Sequence, residues 1–335
     1  MRSVVWSSAV WRSVASRSVA SRSVVLRSVI LSGVVLSATI ATGCDRAGAP
    51  AAAGTNASNT SGAGKVQIVA AENFWASIAS QIAGSRGEVS AIIADPAQDP
   101  HDYQPTTADA RAVSGARLAI VNGVGYDRWA SQLLSASPAP HRVVLNIGEL
   151  FALKEGDNPH RWYDPADVDA VANRIAEDLK RLDPEHAGVY DQQLASFEQR
   201  RLARYHALIA GIARRYAGVP IGASESIFAM QAPALGLRLI TPPTFMNAIS
   251  EGSDVSEQDV LRTQRQITGR QIKLWIYNRQ NATPQIQRLN ALARAHGIPI
   301  VTVTETLAPE SASFEEWQSD QLARLAQALR EATGR

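Results

Sequence analysis

The sequence predicts an α/β fold of two lobes, each with a short, mostly parallel sheet flanked by helices, joined by one long helix. Three observations carry this. Short β-branched runs alternate with helical-period segments from Lys65 to Leu145, and the same alternation restarts at Val219. Between the two runs lies a long amphipathic stretch that opens on a proline. Alternating strands and helices of this kind form parallel sheets covered on both faces.

The chain does not begin with that fold. Residues 1–27 repeat an Arg-Ser-Val theme containing Arg2, Arg12, Arg17, Arg22 and Arg27 and no acid. An apolar run from Ser28 to Thr42 follows, short against the roughly twenty residues of a membrane span, and it ends in small residues. Basic region, apolar region and small residues at a cut site read as a signal peptide over residues 1–43. The basic region is long for such a peptide, and a start codon further along would explain the repeat. Ala41-Thr42-Gly43-Cys44 resembles a bacterial lipoprotein processing site, with Cys44 acylated after cleavage, although Ala41 stands where leucine is usual. Plain secretion is the alternative. Cys44 is the only cysteine, which excludes an intrachain disulfide and a cysteine-based zinc cluster. Residues 44–64, rich in Ala, Gly, Ser, Thr and Asn, read as a flexible tether.

The charge balance changes once the leader is set aside. Without its five arginines the 33 basic residues fall to 28, against 31 acids, so the body is mildly acidic. Nucleic-acid binding needs a basic footprint, so that class of partner is excluded. Hydrophobic residues at 45% and charged residues at 19% are ordinary for a folded soluble body.

Residues 65–183 form the N-terminal lobe. Val66 to Ala70 is a strand, and Phe74 to Ala83 a helix with Phe74, Ile78 and Ile82 at spacing four. Val89 to Ile93 is the second strand, and it runs into Asp99-Pro100-His101-Asp102-Tyr103-Gln104-Pro105-Thr106. Thr107 or Asp109 opens the next helix. Leu118 to Val121 is a third strand, ended by the turn Asn122-Gly123-Val124-Gly125. No G-x-G-x-x-G follows the first strand and no phosphate-loop lysine is present, so this Gly-x-Gly is a turn and not a nucleotide site. Tyr126 to Leu134 is a helix and Arg142 to Leu145 a strand. Asp157-Asn158-Pro159-His160-Arg161-Trp162 then echoes the first histidine run, and Pro165 to Leu182 is a helix with Val168, Val171, Ile175, Leu179 and Leu182 on one stripe.

Residues 184–213 are the long linking helix, with Pro184 suited to its first turn and Gly218 with Pro220 beyond its end. From pattern alone it is either one more packing helix or a strut between lobes. Residues 214–335 form the C-terminal lobe: strands at 220–223, 272–277 and 300–303, helices at 226–235 and 284–295, and a final helix opened by the capping box Ser313-Phe314-Glu315-Glu316.

The chemistry gathers at strand ends. His101 and His160 are two of only six histidines, and each directly follows a proline that stiffens its loop. Alone, such a pair fits a metal site, an acid–base pair or two surface histidines. His101 follows the second strand, where ligands of parallel sheets bind. Glu225 and Glu305 follow strands of the second lobe in the same way, so a metal site in a cleft could draw His101 and His160 from one lobe and Glu225 and Glu305 from the other. Imidazole with carboxylate suits Zn²⁺, Mn²⁺ or Fe²⁺. Asp95, Asp99, Asp102 and Asp157 are candidates for supporting partners or loop caps. Trp162, Phe245 and Trp275 are cleft or core aromatics. His141, His186, His206 and His296 read as structural or solvent-facing.

These residues resemble the substrate-binding lipoproteins of bacterial zinc and manganese ABC importers, the metal-receptor family with a helical backbone. The resemblance is carried by the two histidine runs, by Asp164-Pro165, by Ala71-Glu72-Asn73-Phe74-Trp75, by the turn into Tyr126, by Asn278 with Gln280, and by Val303-Thr304-Glu305-Thr306-Leu307. It covers roughly residues 65 to 332. It implies a linking-helix strut, a metal held between the lobes by His101, His160, Glu225 and Glu305, and no catalytic residues. It further implies delivery of the ion to an ABC permease and its ATPase by a monomeric, extracytoplasmic, lipid-anchored receptor. Zinc is the first cargo implied, manganese the next, then Fe²⁺. Many zinc members carry a mobile loop rich in His and Asp; here Ile93 to Asp109 holds one histidine, which moves the balance toward manganese. The rival readings are a receptor for an iron chelate or corrinoid, and a metal hydrolase, for which no H-E-x-x-H or G-x-S-x-G motif is present.

Overall fold

A computed structural model describes residues 64–98, Pro100 and residues 103–335. The proposed leader, Cys44 and almost all of the tether lie outside the described residues, as do Asp99, His101 and Asp102 in the first histidine loop.

The first lobe runs β1 (Val66–Glu72), α1 (Asn73–Ala83), β2 (Gly87–Ile93), α2 (Thr107–Gly115), β3 (Leu118–Val121), α3 (Arg128–Ala136), β4 (Val143–Asn146), the short α4 (Ile147–Leu150) and α5 (Pro165–Leu182). Its sheet is parallel throughout, in the order β2-β1-β3-β4. The second lobe repeats that design with β5 (Pro220–Ala223), β6 (Arg238–Leu239), β7 (Leu274–Asn278) and β8 (Ile300–Val303), ordered β6-β5-β7-β8 and again parallel. In each sheet the strand order reverses between the two central strands. Ligands of such sheets bind beyond the carboxyl ends of the strands at that reversal, which here means the residues after β1 and β3 and those after β5 and β7.

Local chemistry sets the helix starts. The Thr106 hydroxyl accepts from the Asp109 backbone while Asp109 accepts from the Thr106 N–H, a reciprocal cap for α2. Asp164 accepts from Ala166 N at 2.9 Å and Pro165 fills the first helical position, which starts α5. Ser313 and Glu316 form the predicted box at the start of α11 (Phe314–Thr333), which ends at Gly334 with φ 68°.

The linking segment is helical but not one uniform helix. A 3-10 turn (Pro184–His186) leads into α6 (Ala187–Ser196), a π-helical turn over Phe197–Arg201, and α7 (Ala203–Tyr216). Leu202 N donates to Phe197 O at 2.9 Å, five residues back. At 3.6 residues per turn, positions five apart point about 140° away from each other. The wider turn brings Phe197 and Leu202 toward the same side, and both are fully buried. Core packing therefore explains the change of pitch.

Two further departures from the sequence reading lie in the second lobe. The helix expected at 226–235 is only a 3-10 turn (Ser226–Ala229). The region between it and β7 holds β6, α8 (Pro243–Ser250) and α9 (Glu257–Thr268), ahead of α10 (Pro284–Ala295). Ala232-Pro233 explains the first point: proline disfavours helix in the residue before it and lacks a donor.

One apolar core continues through both lobes. It includes Phe74, Trp75, Trp162 and Tyr163 from the first, Tyr205 of the linker, and Phe245, Trp275, Phe314 and Trp317 from the second. Trp162, Phe245 and Trp275 are thus core residues. Among the described residues, no helix is long and apolar enough to cross a membrane.

Candidate metal centre

The first lobe builds its side of the site around the turn after β3. Asp127 accepts from Asn122 N at 2.7 Å and from Gly123 N at 2.8 Å. Gly123, Val124 and Gly125 have φ of 73°, 57° and 79°. Left-handed backbone is costly for a β-branched residue such as Val124. At Gly123 a Cβ would come within 2.3 Å of Asn146 Oδ1, so glycine is required there. The turn ends on Tyr126, whose hydroxyl donates to Glu305 Oε2 at 2.9 Å, from one lobe to the other.

Behind this turn stands Glu72, wholly buried at the carboxyl end of β1. Burial first, and then the nearby Asp127 charge, push its carboxyl well above the usual carboxylate range. Burial also pushes Asp127 up to about 6, against the pull of the two backbone N–H groups. Of the two, Glu72 is the one whose burial beside Asp127 favours the protonated form more strongly.

His160 is fully buried. Pro159 precedes it, and Asn122 Nδ2 donates to Pro159 O at 3.0 Å. The ring lies 5.2 Å from Trp162 and 6.0 Å from Tyr126, edge-to-face with both. Trp162 in turn stacks on Phe74 at 4.0 Å with planes 16° apart. His160 Nδ1 lies 2.8 Å from Asn158 Oδ1.

From the second lobe, Glu225 follows β5 in extended conformation with 1% of its surface exposed, and Asn281 Nδ2 donates to its Oε2 at 3.0 Å. Glu305 follows β8, is 6% exposed, and receives Asn278 Nδ2 on Oε1 at 2.9 Å as well as Tyr126 on Oε2. Glu225 therefore sits beyond β5, one of the two strands at the reversal, and Glu305 beyond β8, the edge strand next to β7.

The loop that carries His101 is held at its described parts. Asn73 Nδ2 donates to Ala94 O at 2.9 Å, and Gln280 Nε2 to Pro96 O at 2.7 Å. Trp129 Nε1 donates to Pro100 O at 3.0 Å, and Tyr103 to Asp109 at 2.7 Å. Asn73 and Gln280 also grip the second lobe: Leu307 N donates to Asn73 Oδ1, and Glu305 N to Gln280 Oε1 at 2.5 Å. The same two amides thus fix both the base of the His101 loop and the loop that carries Glu305.

A polar cleft of about 530 Å³ opens over this region, with Tyr126, Asn158, His160, Ser226, Ser250 and Glu251 among its walls. Glu225 and Glu305 do not line it. Among the described residues, no three His, Cys, Asp or Glu side chains form a group that could hold a metal ion; His101 lies outside those residues. Asp95 and Asp157 act as loop caps, accepting from Ala97 N and Lys154 N. The sequence reading singled out neither Asn281 nor the buried Glu72–Asp127 pair, and it quoted Tyr126 only at the end of a turn and the start of a helix.

Comparison with known proteins decides the family. Residues 68–328 match the model for the periplasmic zinc-uptake complex component A, ZnuA. The chain belongs to this family. A manganese-binding lipoprotein MntA of Halalkalibacterium halodurans is 31% identical over 141 residues, covering 41% of this chain and 47% of the relative. The iron-binding protein YfeA of Yersinia pestis is 28% identical over 194 residues, or 55% of this chain and 60% of its own length. The chain therefore matches about half to three-fifths of the length of these relatives. Among solved structures, the periplasmic zinc-binding protein TroA of Treponema pallidum aligns with a TM-score of 0.67 at 18% identity, over 79% of this chain and 99% of that one. That likeness is one of fold, two lobes each with a parallel sheet flanked by helices.

Proposed function

We propose that this protein is an extracytoplasmic receptor that captures a divalent transition metal between its lobes and delivers it to an ABC permease driven by an ATPase. The ligands are His101, His160, Glu225 and Glu305. The observation that carries the reading is that Glu225, Glu305 and His160 are each buried, on loops at the carboxyl ends of the strands or, for His160, beyond the sheet, although the three do not by themselves form a metal-holding group. Amide and hydroxyl groups orient all three. Two carboxylates and two neutral imidazoles neutralise a divalent cation.

The function is capture and release rather than catalysis. Four protein ligands close a tetrahedral shell and leave no open position for an activated water. Cys44 is the proposed lipid anchor, which tethers the body to the membrane surface through residues 44–64.

Zinc and manganese are the proposed cargoes, zinc first. The relatives whose names mention a metal bind manganese, iron or zinc. A mixed set of imidazole and carboxylate donors accepts all three, and geometry decides between them. The 530 Å³ cleft over His160 supports one rival, a receptor for an organic metal chelate, since small-molecule pockets fall in the range of about 300–1,000 Å³.

Titration of the chelator-stripped chain with Zn²⁺, Mn²⁺ and Fe²⁺ by calorimetry tests the reading, alongside a His101→Ala/His160→Ala double variant. One tight equivalent that disappears in the variant supports it. No tight ion, or binding unchanged in the variant, points to the chelate receptor.

A further inference from the structure

We infer that Asn158 is a positioning residue that couples the tautomer of His160 to the closure of the two lobes. The inference rests on the four-ligand reading and deepens it.

The orientation of the Asn158 amide follows from partners whose roles admit no ambiguity. Its oxygen receives the His160 backbone N–H at 3.1 Å, and a backbone nitrogen only donates. Its nitrogen lies 2.8 Å from the backbone carbonyl of Ser226, and a carbonyl only accepts. Exchanging the two amide atoms would break both contacts, so the amide has one orientation.

The ring follows. Asn158 Oδ1 also faces His160 Nδ1 at 2.8 Å. An amide oxygen cannot donate, so Nδ1 carries a proton, and in the neutral ring Nε2 then carries the lone pair. That is the tautomer a neutral histidine needs to bind a metal through Nε2.

The other end of the same amide reaches across the cleft. Ser226 directly follows Glu225, and its own N–H donates to Ser250 Oγ at 3.1 Å. Asn158 therefore holds a ligand of one lobe by its oxygen and the chain beside a ligand of the other lobe by its nitrogen. Both contacts depend on one rigid planar group. Separating the lobes pulls the amide away from either Ser226 or His160. Loss of the second contact releases the ring from the metal-binding tautomer. Asn158 would in this way convert lobe opening into ion release.

Two substitutions separate the halves of this device. Asn158→Asp keeps oxygen acceptors for His160 but removes the donor to Ser226 and sets a charge against its carbonyl. Asn158→Ala removes both. The histidine tautomer is read by ¹⁵N–¹H NMR of the metal-free full chain, with the His160 signals identified by their absence in His160→Gln. Zinc dissociation is timed against an excess of chelator. The inference predicts an Nδ1–H signature for His160 in the wild type and in Asn158→Asp, and its loss in Asn158→Ala. It predicts zinc release at least about tenfold faster in both variants, in the range typical for groups that orient a metal ligand. An Nε2–H signature in the wild type overturns it, and that measurement depends on no variant. Release from Asn158→Asp at the wild-type rate also overturns it. If His160→Ala retains wild-type zinc affinity, the four-ligand reading itself fails. If His160→Ala loses zinc while Asn158→Asp releases it normally, only the coupling fails.

Discussion

The Tyr126 hydroxyl donates a 2.9 Å hydrogen bond to Glu305 Oε2, joining the turn after β3 of one lobe to the loop after β8 of the other. Both residues are buried. The bond fixes one carboxylate oxygen of a proposed ligand, while Asn278 holds the other. A hydrogen bond to a charged group contributes about 1.5–3 kcal/mol. Tyr126→Phe keeps the ring packed against Trp162 and removes only this donor. The variant should lose stability on that scale in urea denaturation of the metal-free protein and release zinc faster than the wild type.

Gln280 supports the site from behind. It accepts from Glu305 N and donates to Pro96 O, so it spans the two ligand loops. Gln280→Ala leaves a partly buried backbone N–H without this acceptor, at a cost of about 1–3 kcal/mol. Hydrogen exchange should quicken at the Ala97 and Glu305 amides together. Exchange confined to one loop would mean that Gln280 supports only that side.

Acidity should stabilise the Glu72–Asp127 pair. Both carboxyls have folded pKa values raised by burial, Asp127 to about 6 and Glu72 well above its usual range. Between the unfolded values near 4 and these raised ones, the folded chain holds more protons than the unfolded chain. Stability contributed by the pair is therefore full at low pH and falls as pH rises through 6 and beyond. Glu72→Gln keeps the size of the side chain and removes one ionisation. Metal-free Glu72→Gln should lose less stability than the wild type between pH 5 and pH 8, and at pH 8 should be the more stable of the two. Parallel curves for the two proteins would show that Glu72 does not hold a proton.

Trp162 forms the floor under His160 through its stack on Phe74. Removing a wholly buried tryptophan leaves a cavity and costs about 3–5 kcal/mol. Trp162→Ala should lose that much and bind zinc weakly. Trp162→Phe should recover most of the stability, as judged by thermal unfolding.

Much of this organisation is legible in the sequence because it depends on local rules. The boundaries of α5 follow from Asp164-Pro165, and those of α11 from Ser313 with Glu316. Glu225 and Glu305 stand out as candidates by their place after short strands, with Ile221 before Glu225 and Val301 before Glu305. What stayed hidden depends on contacts distant in sequence. The π turn at Phe197–Arg201 answers to the core that Phe197 and Leu202 must enter, and periodicity reads straight through it. The region 226–268 misleads because Ser226 to Leu235 has helical spacing, yet Pro233 breaks it. Asn281 beside Glu225, and Asp127 beside Glu72, become neighbours only when the central strands lie side by side. No spacing rule reports such pairs.

The central claim is the four-ligand site, and crystals of the zinc-loaded chain test it most directly. Anomalous diffraction at the zinc edge should give one strong peak between the lobes. That peak should lie about 2.0–2.2 Å from a ring nitrogen of His101, Nε2 of His160 and an oxygen each of Glu225 and Glu305. A zinc peak elsewhere, or one at this place bound by His160 but lacking both carboxylates, would contradict the account.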